Sequence, residues 1–166
     1  MAAIAFDAAR QAAGRFEAVL TAVREMLDAF VSYRMRLAAA PTLWPVQGRV
    51  TSSFGERIDP FGGEGAFHRG VDISSDIGTR IIAPADGVVR FADFMNGYGR
   101  AVMIDHGNGV STLYGHLSGF AVSPGQLIRR GDSVGYVGQS GRSTGPHLHY
   151  EVRILNTPVN PHKYRM

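Results

Sequence analysis

The sequence predicts a mainly β protein in which a domain of short antiparallel strands follows one long N-terminal α-helix. Three observations predict it. Residues 1–40 contain no Pro and a single Gly, Gly14, and their apolar residues recur in alternating steps of three and four. From Val50 onward the apolar period changes to two. The chain of 166 residues has 21 glycines, and Gly-Asn-Gly and Asp-Gly stretches stand between its apolar runs, where hairpin turns are needed.

The helix comes first. Ala, Arg, Glu, Leu and Met, all good helix formers, dominate residues 1–40. Ala9, Ala12, Phe16, Val19, Val23, Met26, Phe30, Tyr33 and Leu37 keep a heptad period, Leu20 and Leu27 widen the stripe, and Arg10, Glu17, Arg24 and Asp28 lie opposite. Such a stripe either packs on its own domain or forms a coiled coil, as a homodimer or with a partner protein. Pro41 and Pro45 end the helix, because proline lacks the amide hydrogen and clashes with the preceding turn. Residues 41–49 read as a linker and residues 50–166 as the β domain. Within it, Arg100–His106 and Val110–Leu117 flank Gly107-Asn108-Gly109, a hairpin signal, and Asp86-Gly87 marks a turn before Val88-Val89. His147–Ile154 alternates: Leu148, Tyr150, Val152 and Ile154 share one face, and His147, His149, Glu151 and Arg153 the other.

Composition narrows the chemistry. There is no cysteine, so disulfides, thiolate metal sites and thiol nucleophiles are excluded, and any metal must be held by His and carboxylates. A net charge of +3 and a pI near 9.6 suit an anionic partner. No Lys/Arg run interleaved with aromatics supports nucleic acid as that partner. Residues 1–15 lack the basic leader and uninterrupted apolar stretch of a signal peptide, so an exported protein would carry its leader or anchor outside this chain.

The histidines carry the functional argument. His147 and His149, two apart on a strand, point to one side, as two metal ligands or a ligand and a base would. His68 and Asp72 lie in Phe67-His68-Arg69-Gly70-Val71-Asp72-Ile73, where Val71 and Ile73 favour extended chain. On one continuous strand His68, Gly70 and Asp72 would share a face, with Gly70 leaving room for an ion. Imidazole with carboxylate and no thiol is a usual zinc ligand set. His116 ends a strand in Tyr114-Gly115-His116-Leu117, and His106 follows Asp105, where it reads as a hydrogen-bonded support. His162, among Pro and Lys near the C-terminus, reads as structural. Glu151 reads as an ion-pair or ligand-supporting residue rather than a catalyst. No carboxylate pair has the defined spacing that glycoside hydrolysis needs.

Together these motifs resemble the lysostaphin/LytM-type zinc metallopeptidases, which carry His-x-x-x-Asp early and His-x-His late. Those motifs are His68…Asp72 and His147-Leu148-His149 here. Thr51-Ser52-Ser53-Phe54-Gly55-Glu56-Arg57, Ala83-Pro84-Ala85-Asp86-Gly87, Tyr114-Gly115-His116-Leu117 and Gly145-Pro146-His147-Leu148-His149-Tyr150-Glu151 also look like the family. The resemblance runs from about Pro45 to Pro161. It implies a zinc endopeptidase of bacterial peptidoglycan, acting on stem peptides or cross-links, with Zn²⁺ held by His68, Asp72 and His149 and with His116 and His147 catalytic. It also implies a place in the cell envelope, periplasmic or extracellular. Some relatives stabilise the oxyanion with a tyrosine near the site. Phe61-Gly62-Gly63-Glu64-Gly65-Ala66 contains none, which leaves that stabiliser unassigned. The alternative the resemblance allows is a non-catalytic wall-binding or hydrolase-activating module. Such modules lose ligands or catalytic histidines, whereas all five positions are intact here.

Overall fold

The computed structural model describes residues 2–59 and 62–164. They form two compact units, one up to Leu37 and one from Ala38. The first holds all but the last two residues of the helix α1 (Ala2–Ala39). Arg36 in its last turn lies near the unpaired C-terminal carbonyls, where a cation is favoured. The helix stops short of Pro41 because the residue before a proline is pushed out of the helical region. The large side chains of its heptad stripe, among them Phe16, Val23, Met26 and Phe30, are exposed. No helix among the described residues is long and apolar enough to cross a membrane.

The second unit contains β1 (Arg49–Ser52), β2 (Gly55–Ile58), β3 (Gly65–His68), β4 (Val71–Ser74), β5 (Arg80–Ile82), β6 (Gly87–Met95) and β7 (Gly99–Gly107). There follow β8 (Val110–Leu117), β9 (Gly119–Phe120), β10 (Leu127–Ile128), β11 (Ser133–Tyr136), β12 (His147–Ile154), β13 (Thr157–Val159) and a 3-10 turn at Pro161–Tyr164. The main sheet runs β1-β4-β12-β8-β7-β6-β10, with β13 also on β12; β5-β11-β9 and β2-β3 form smaller sheets. Every pairing is antiparallel, as predicted from the sequence. The β7–β8 hairpin closes with Gly107 opposite Val110, and Asn108 and Gly109 both take positive φ (52° and 75°), the conformation that makes Asn-Gly a hairpin turn.

Leu148, Tyr150 and Val152 of β12 join Val71, Ile73, Val102, Ile104 and Tyr114 in the core. Burial of this one face turns the opposite face of β12, with its histidines, towards the site. Residues 41–49, expected to be a linker, are instead packed on the domain. Val46 is buried in the core, Trp44 meets Tyr150 edge-on and stacks on His162, and the Pro45 carbonyl accepts a hydrogen bond from the Ile82 amide at 2.8 Å. The two prolines end the helix as predicted; the apolar Trp44 and Val46 explain why the chain then stays on the domain instead of spanning solvent.

Candidate metal centre

The site is built across β4 and β12. Their antiparallel register sets His149 directly opposite Asp72, and cross-strand neighbours on one face lie within side-chain reach. On the other flank of β12, His149 faces Gly115 of β8. His68 arrives separately, at the end of β3 in the small β2–β3 sheet. The single continuous strand expected from His68 to Asp72 is therefore not formed. The chain leaves one sheet after His68 and enters another at Val71. Gly70 does not make room for an ion: a Cβ there would lie 2.3 Å from the Tyr150 carbonyl oxygen and 2.9 Å from Glu151 Cγ. Its missing side chain lets the crossing chain press against β12.

The outcome brings His68, Asp72 and His149 together, all buried. His68 Nε2 lies 3.1 Å from Asp72 Oδ1 and 3.1 Å from His149 Nδ1, and His149 Nδ1 lies 2.8 Å from Asp72 Oδ1. The hydrogen bonds on the far sides of the rings fix the tautomers. His68 Nδ1–H donates to the Ser53 carbonyl (2.9 Å), and His149 Nε2–H donates to Glu151 Oε1 (3.1 Å). Three lone pairs thus converge with no hydrogen to share, which is repulsive unless a cation sits among them. The spacing suits an ion that binds nitrogen and oxygen at about 2.0–2.2 Å, as zinc does. Electrostatics express the same demand. Burial alone would lower the His149 pKa, but the Asp72 and Glu151 carboxylates outweigh it and raise it. Burial alone would raise the Asp72 carboxyl, yet His149 and His68 hold it well below the usual range. The residues present fit a divalent cation with an oxygen-and-nitrogen preference.

His116 and His147 line the same cavity, of about 380 Å³. Their ring centroids are 4.7 Å apart. His116 Nδ1–H donates to the Ser140 carbonyl (2.8 Å) and His147 Nδ1–H to the Gly145 carbonyl (2.7 Å), so each ring is anchored through Nδ1 and its Nε2 is not used by the backbone. His147 Nε2 lies 3.7 Å from Asp72 Oδ1. Burial, with the neighbouring His147 and His149, pushes the His116 pKa down to about 4 despite the Ser140 carbonyl. Its imidazole is neutral at neutral pH and able to accept a proton. His116 also holds a left-handed backbone (φ 62°), uncommon for a residue with a side chain and tied here by its amide to the Tyr98 carbonyl at 2.7 Å.

Three residues that the sequence reading did not single out, or left in a minor role, complete the site. Glu151 is fully buried; besides His149 it accepts from Tyr98 O–H (2.7 Å) and Arg153 Nε–H (2.7 Å). Tyr98 lines the cavity, with its ring 5.5 Å from that of His149. The signal for it in the sequence was Gly97-Tyr98-Gly99, an aromatic between two glycines at a strand junction. Gly99 has φ 68°, and a Cβ there would meet the Ser140 backbone at 2.4 Å, so the turn carrying Tyr98 and the loop anchoring His116 need this glycine to touch. Ser140 left no chemical signal, because its carbonyl does the work. His106 stands apart, outside the cavity lining. It donates from Nδ1 to the Asp86 carbonyl (2.7 Å) and accepts at Nε2 from Thr112 Oγ1 (2.8 Å), and burial lowers its pKa. It is a support between the turn at Asp86 and β8. Phe61, which belongs to the stretch lacking a tyrosine, lies outside the described residues.

A family model described as peptidase family M23 matches residues 66–161. The chain is 51% identical over 116 residues to the DD-carboxypeptidase/endopeptidase Mpg of Neisseria meningitidis, across 70% of this chain and 27% of that protein. It thus spans about a quarter of that curated relative's length. Among solved structures, a zinc-containing peptidase from Vibrio cholerae superposes with a TM-score of 0.67 at 36% identity, covering 70% of this chain and 37% of that one. The catalytic domain of lysostaphin from Staphylococcus simulans superposes with a TM-score of 0.65 at 28% identity, covering 70% and 91%. The antiparallel fold is theirs, the matched stretch takes in every histidine of the cluster, and the chain belongs to peptidase family M23.

Proposed function

We propose that this chain is a zinc-dependent endopeptidase that hydrolyses peptide bonds of bacterial peptidoglycan. One observation carries the reading. Three converging lone pairs, from His68, Asp72 and His149, share a cavity with two more imidazoles, each anchored through Nδ1–H to a backbone carbonyl with Nε2 left for proton transfer. A non-catalytic wall-binding or hydrolase-activating module needs neither half of that arrangement. The peptidoglycan DD-endopeptidase ShyA of Vibrio cholerae, 41% identical over 116 residues, supports peptidoglycan as the substrate class. That substrate places the domain in the cell envelope, periplasmic or extracellular.

His68 Nε2, Asp72 Oδ1 and His149 Nδ1 would hold the zinc. Zinc bound there supplies Lewis acidity, polarising a scissile carbonyl and making a water acidic near neutral pH. The chain's own groups do the rest. One of His116 and His147 accepts the proton from water at Nε2 and returns it to the leaving amine. The other, when it carries a proton on Nε2 as well as on Nδ1, donates from Nε2 to the oxyanion as charge develops. Glu151 holds His149 in the tautomer that turns Nδ1 inward. The exposed heptad stripe of α1 is the surface for a second copy or a partner protein.

The test is mass spectrometry of sacculi digested with the purified protein, with and without chelator. New peptide amino and carboxyl termini, abolished by chelator and restored by zinc, are expected. New reducing sugar ends without new peptide termini, or no digestion at all with zinc bound, would defeat the reading.

A further inference from the structure

We propose that Arg57 selects the substrate, by pairing with a free carboxylate on the leaving residue beside the scissile peptide bond. This rests on the peptidase reading above and narrows its substrate class to bonds, at cross-links or at the ends of stem peptides, whose leaving amine stands on a carbon that also carries a free carboxylate.

Arg57 lies on β2, opposite Ala66, two positions along from the Gly55–His68 pair. Its Nη1 donates to Ser52 Oγ at 2.5 Å and reaches Asp72 Oδ2 at 3.5 Å, while the other oxygen of Asp72 belongs to the donor triangle. The guanidinium therefore stands at the edge of the metal centre. Its side chain is one-third exposed and lines the cavity. Among the described residues its Nε and Nη2 make no hydrogen bond, so one edge of the planar fork faces the groove.

The charges around it favour an anion. Asp59, also lining the cavity, is bridged by Arg142 at 2.8 and 3.0 Å. Asp72 is committed to His68 and His149. Glu151 is fully buried and paired with Arg153. A divalent cation at the donor triangle would draw further on Asp72 and weaken its long contact with Arg57. The groove then presents a metal and a guanidinium with no carboxylate left over among the described residues to face them.

Reach agrees with charge. In a peptide whose leaving residue keeps a free α-carboxylate, that carboxylate carbon is about 3–4 Å from the scissile carbonyl carbon by standard bond lengths. A carbonyl seated at the metal centre puts the carboxylate within side-chain distance of Arg57. Guanidinium binds carboxylate through two parallel hydrogen bonds, which a carboxamide cannot match.

The experiment uses two synthetic peptides that differ only in the leaving residue, which ends in a carboxylate in one and a carboxamide in the other. Zinc-loaded wild type is expected to prefer the carboxylate by about tenfold or more in kcat/KM, the value of a charged hydrogen-bonded pair. In Arg57→Gln that ratio is expected to fall to about one, chiefly through KM, with zinc content unchanged; Arg57→Lys is expected to keep part of it. The proposal is overturned if wild type shows no preference, or if Arg57→Gln keeps it. It is equally overturned if both peptides lose rate in proportion with loss of zinc, since Arg57 would then only brace Asp72. If wild type cleaves neither peptide, the peptidase reading fails, and anisotropy binding of the same two labelled peptides decides the Arg57 proposal separately. A carboxylate preference in binding that Arg57→Gln erases supports it, and equal binding refutes it.

Discussion

Replacing Glu151 with Gln isolates what a buried carboxylate does for the metal centre. Glu151 is 0% exposed and accepts three hydrogen bonds, from His149, Tyr98 and Arg153. Glutamine has the same shape but one acceptor oxygen, and its amide nitrogen can only donate. With the oxygen turned to His149 and Tyr98, which both bond Oε1 at present, the amide faces Arg153 Nε, and two donors oppose each other. Arg153 has 17% side-chain exposure, so water can reach its guanidinium and limit the damage. The expected loss of stability is about 1–3 kcal/mol, the range for a buried polar group losing its partner. The larger effect falls on zinc. The His149 Nε2–H loses a charged acceptor, the ring loses basicity at Nδ1, and the outward tautomer is no longer enforced. Removing such a partner typically weakens metal binding by about 10–100-fold, or about 1.4–2.8 kcal/mol. The assay is zinc competition against a chromophoric chelator, beside thermal melts of the zinc-free protein. A zinc affinity within twofold of wild type, in a variant that has lost stability, would refute the tautomer argument and leave Glu151 as an ion-pair residue alone.

Other variants divide the cluster by role. His149→Ala is expected to lose zinc and activity together, whereas His147→Ala and His116→Ala keep zinc and lose about 100-fold or more in turnover, with the double variant little worse. Zinc content beside rate on each checks it, and a zinc-free His147→Ala would reverse the assignment. Zinc affinity is expected to weaken as pH falls. The His149 pKa is raised above 6.5, so the proton competes with the metal once pH drops through that raised value, and below it metal binding must release that proton. Affinity that stays flat between pH 8 and about 5 would contradict this. His116, with its pKa near 4, binds no proton over that range, whereas in the unfolded chain it takes one up below 6.5. Its contribution to stability is therefore complete above 6.5 and declines as pH falls towards 4. Gly70→Ala forces a Cβ to 2.3 Å from the Tyr150 carbonyl, so a loss of about 2 kcal/mol or more is expected. A melting temperature within a degree of wild type would show that the β3–β4 crossing relaxes freely.

Much of the fold was legible because it rests on local rules. The heptad period called for a helix, and α1 runs over Ala2–Ala39. Gly107-Asn108-Gly109 called for a tight hairpin, and Asn108 and Gly109 have the positive φ it requires. The miss at His68–Asp72 has a clear physical source. Val71 and Ile73 do favour extended chain, but extended chain on both sides of Arg69-Gly70 pairs with different partners, β2 before it and β12 after. Propensity speaks of conformation and not of which sheet receives it. The supposed linker failed for a related reason: two prolines end a helix, but Trp44 and Val46 bury apolar surface, which outweighs the cost of ordering a short segment.

The sequence by itself determined that His147 and His149 share a side, because side chains alternate along any strand whatever surrounds it. It determined that any metal would be held without a thiolate, since there is no cysteine. It also carried enough ordered motifs to point to the family. Only the tertiary structure decided which atoms meet. His149 and Asp72 are 77 residues apart, and Tyr98 and Glu151 53 apart, yet each pair is in contact. Those contacts depend on the registers of β4, β8 and β12, which the burial of one whole sheet face selects. The choice of Nδ1 on His149 and Nε2 on His68 as the inward atoms was equally beyond local reading. It depends on where the Glu151 carboxylate and the Ser53 carbonyl come to lie, and a ring turns its lone pair away from whichever acceptor claims its hydrogen.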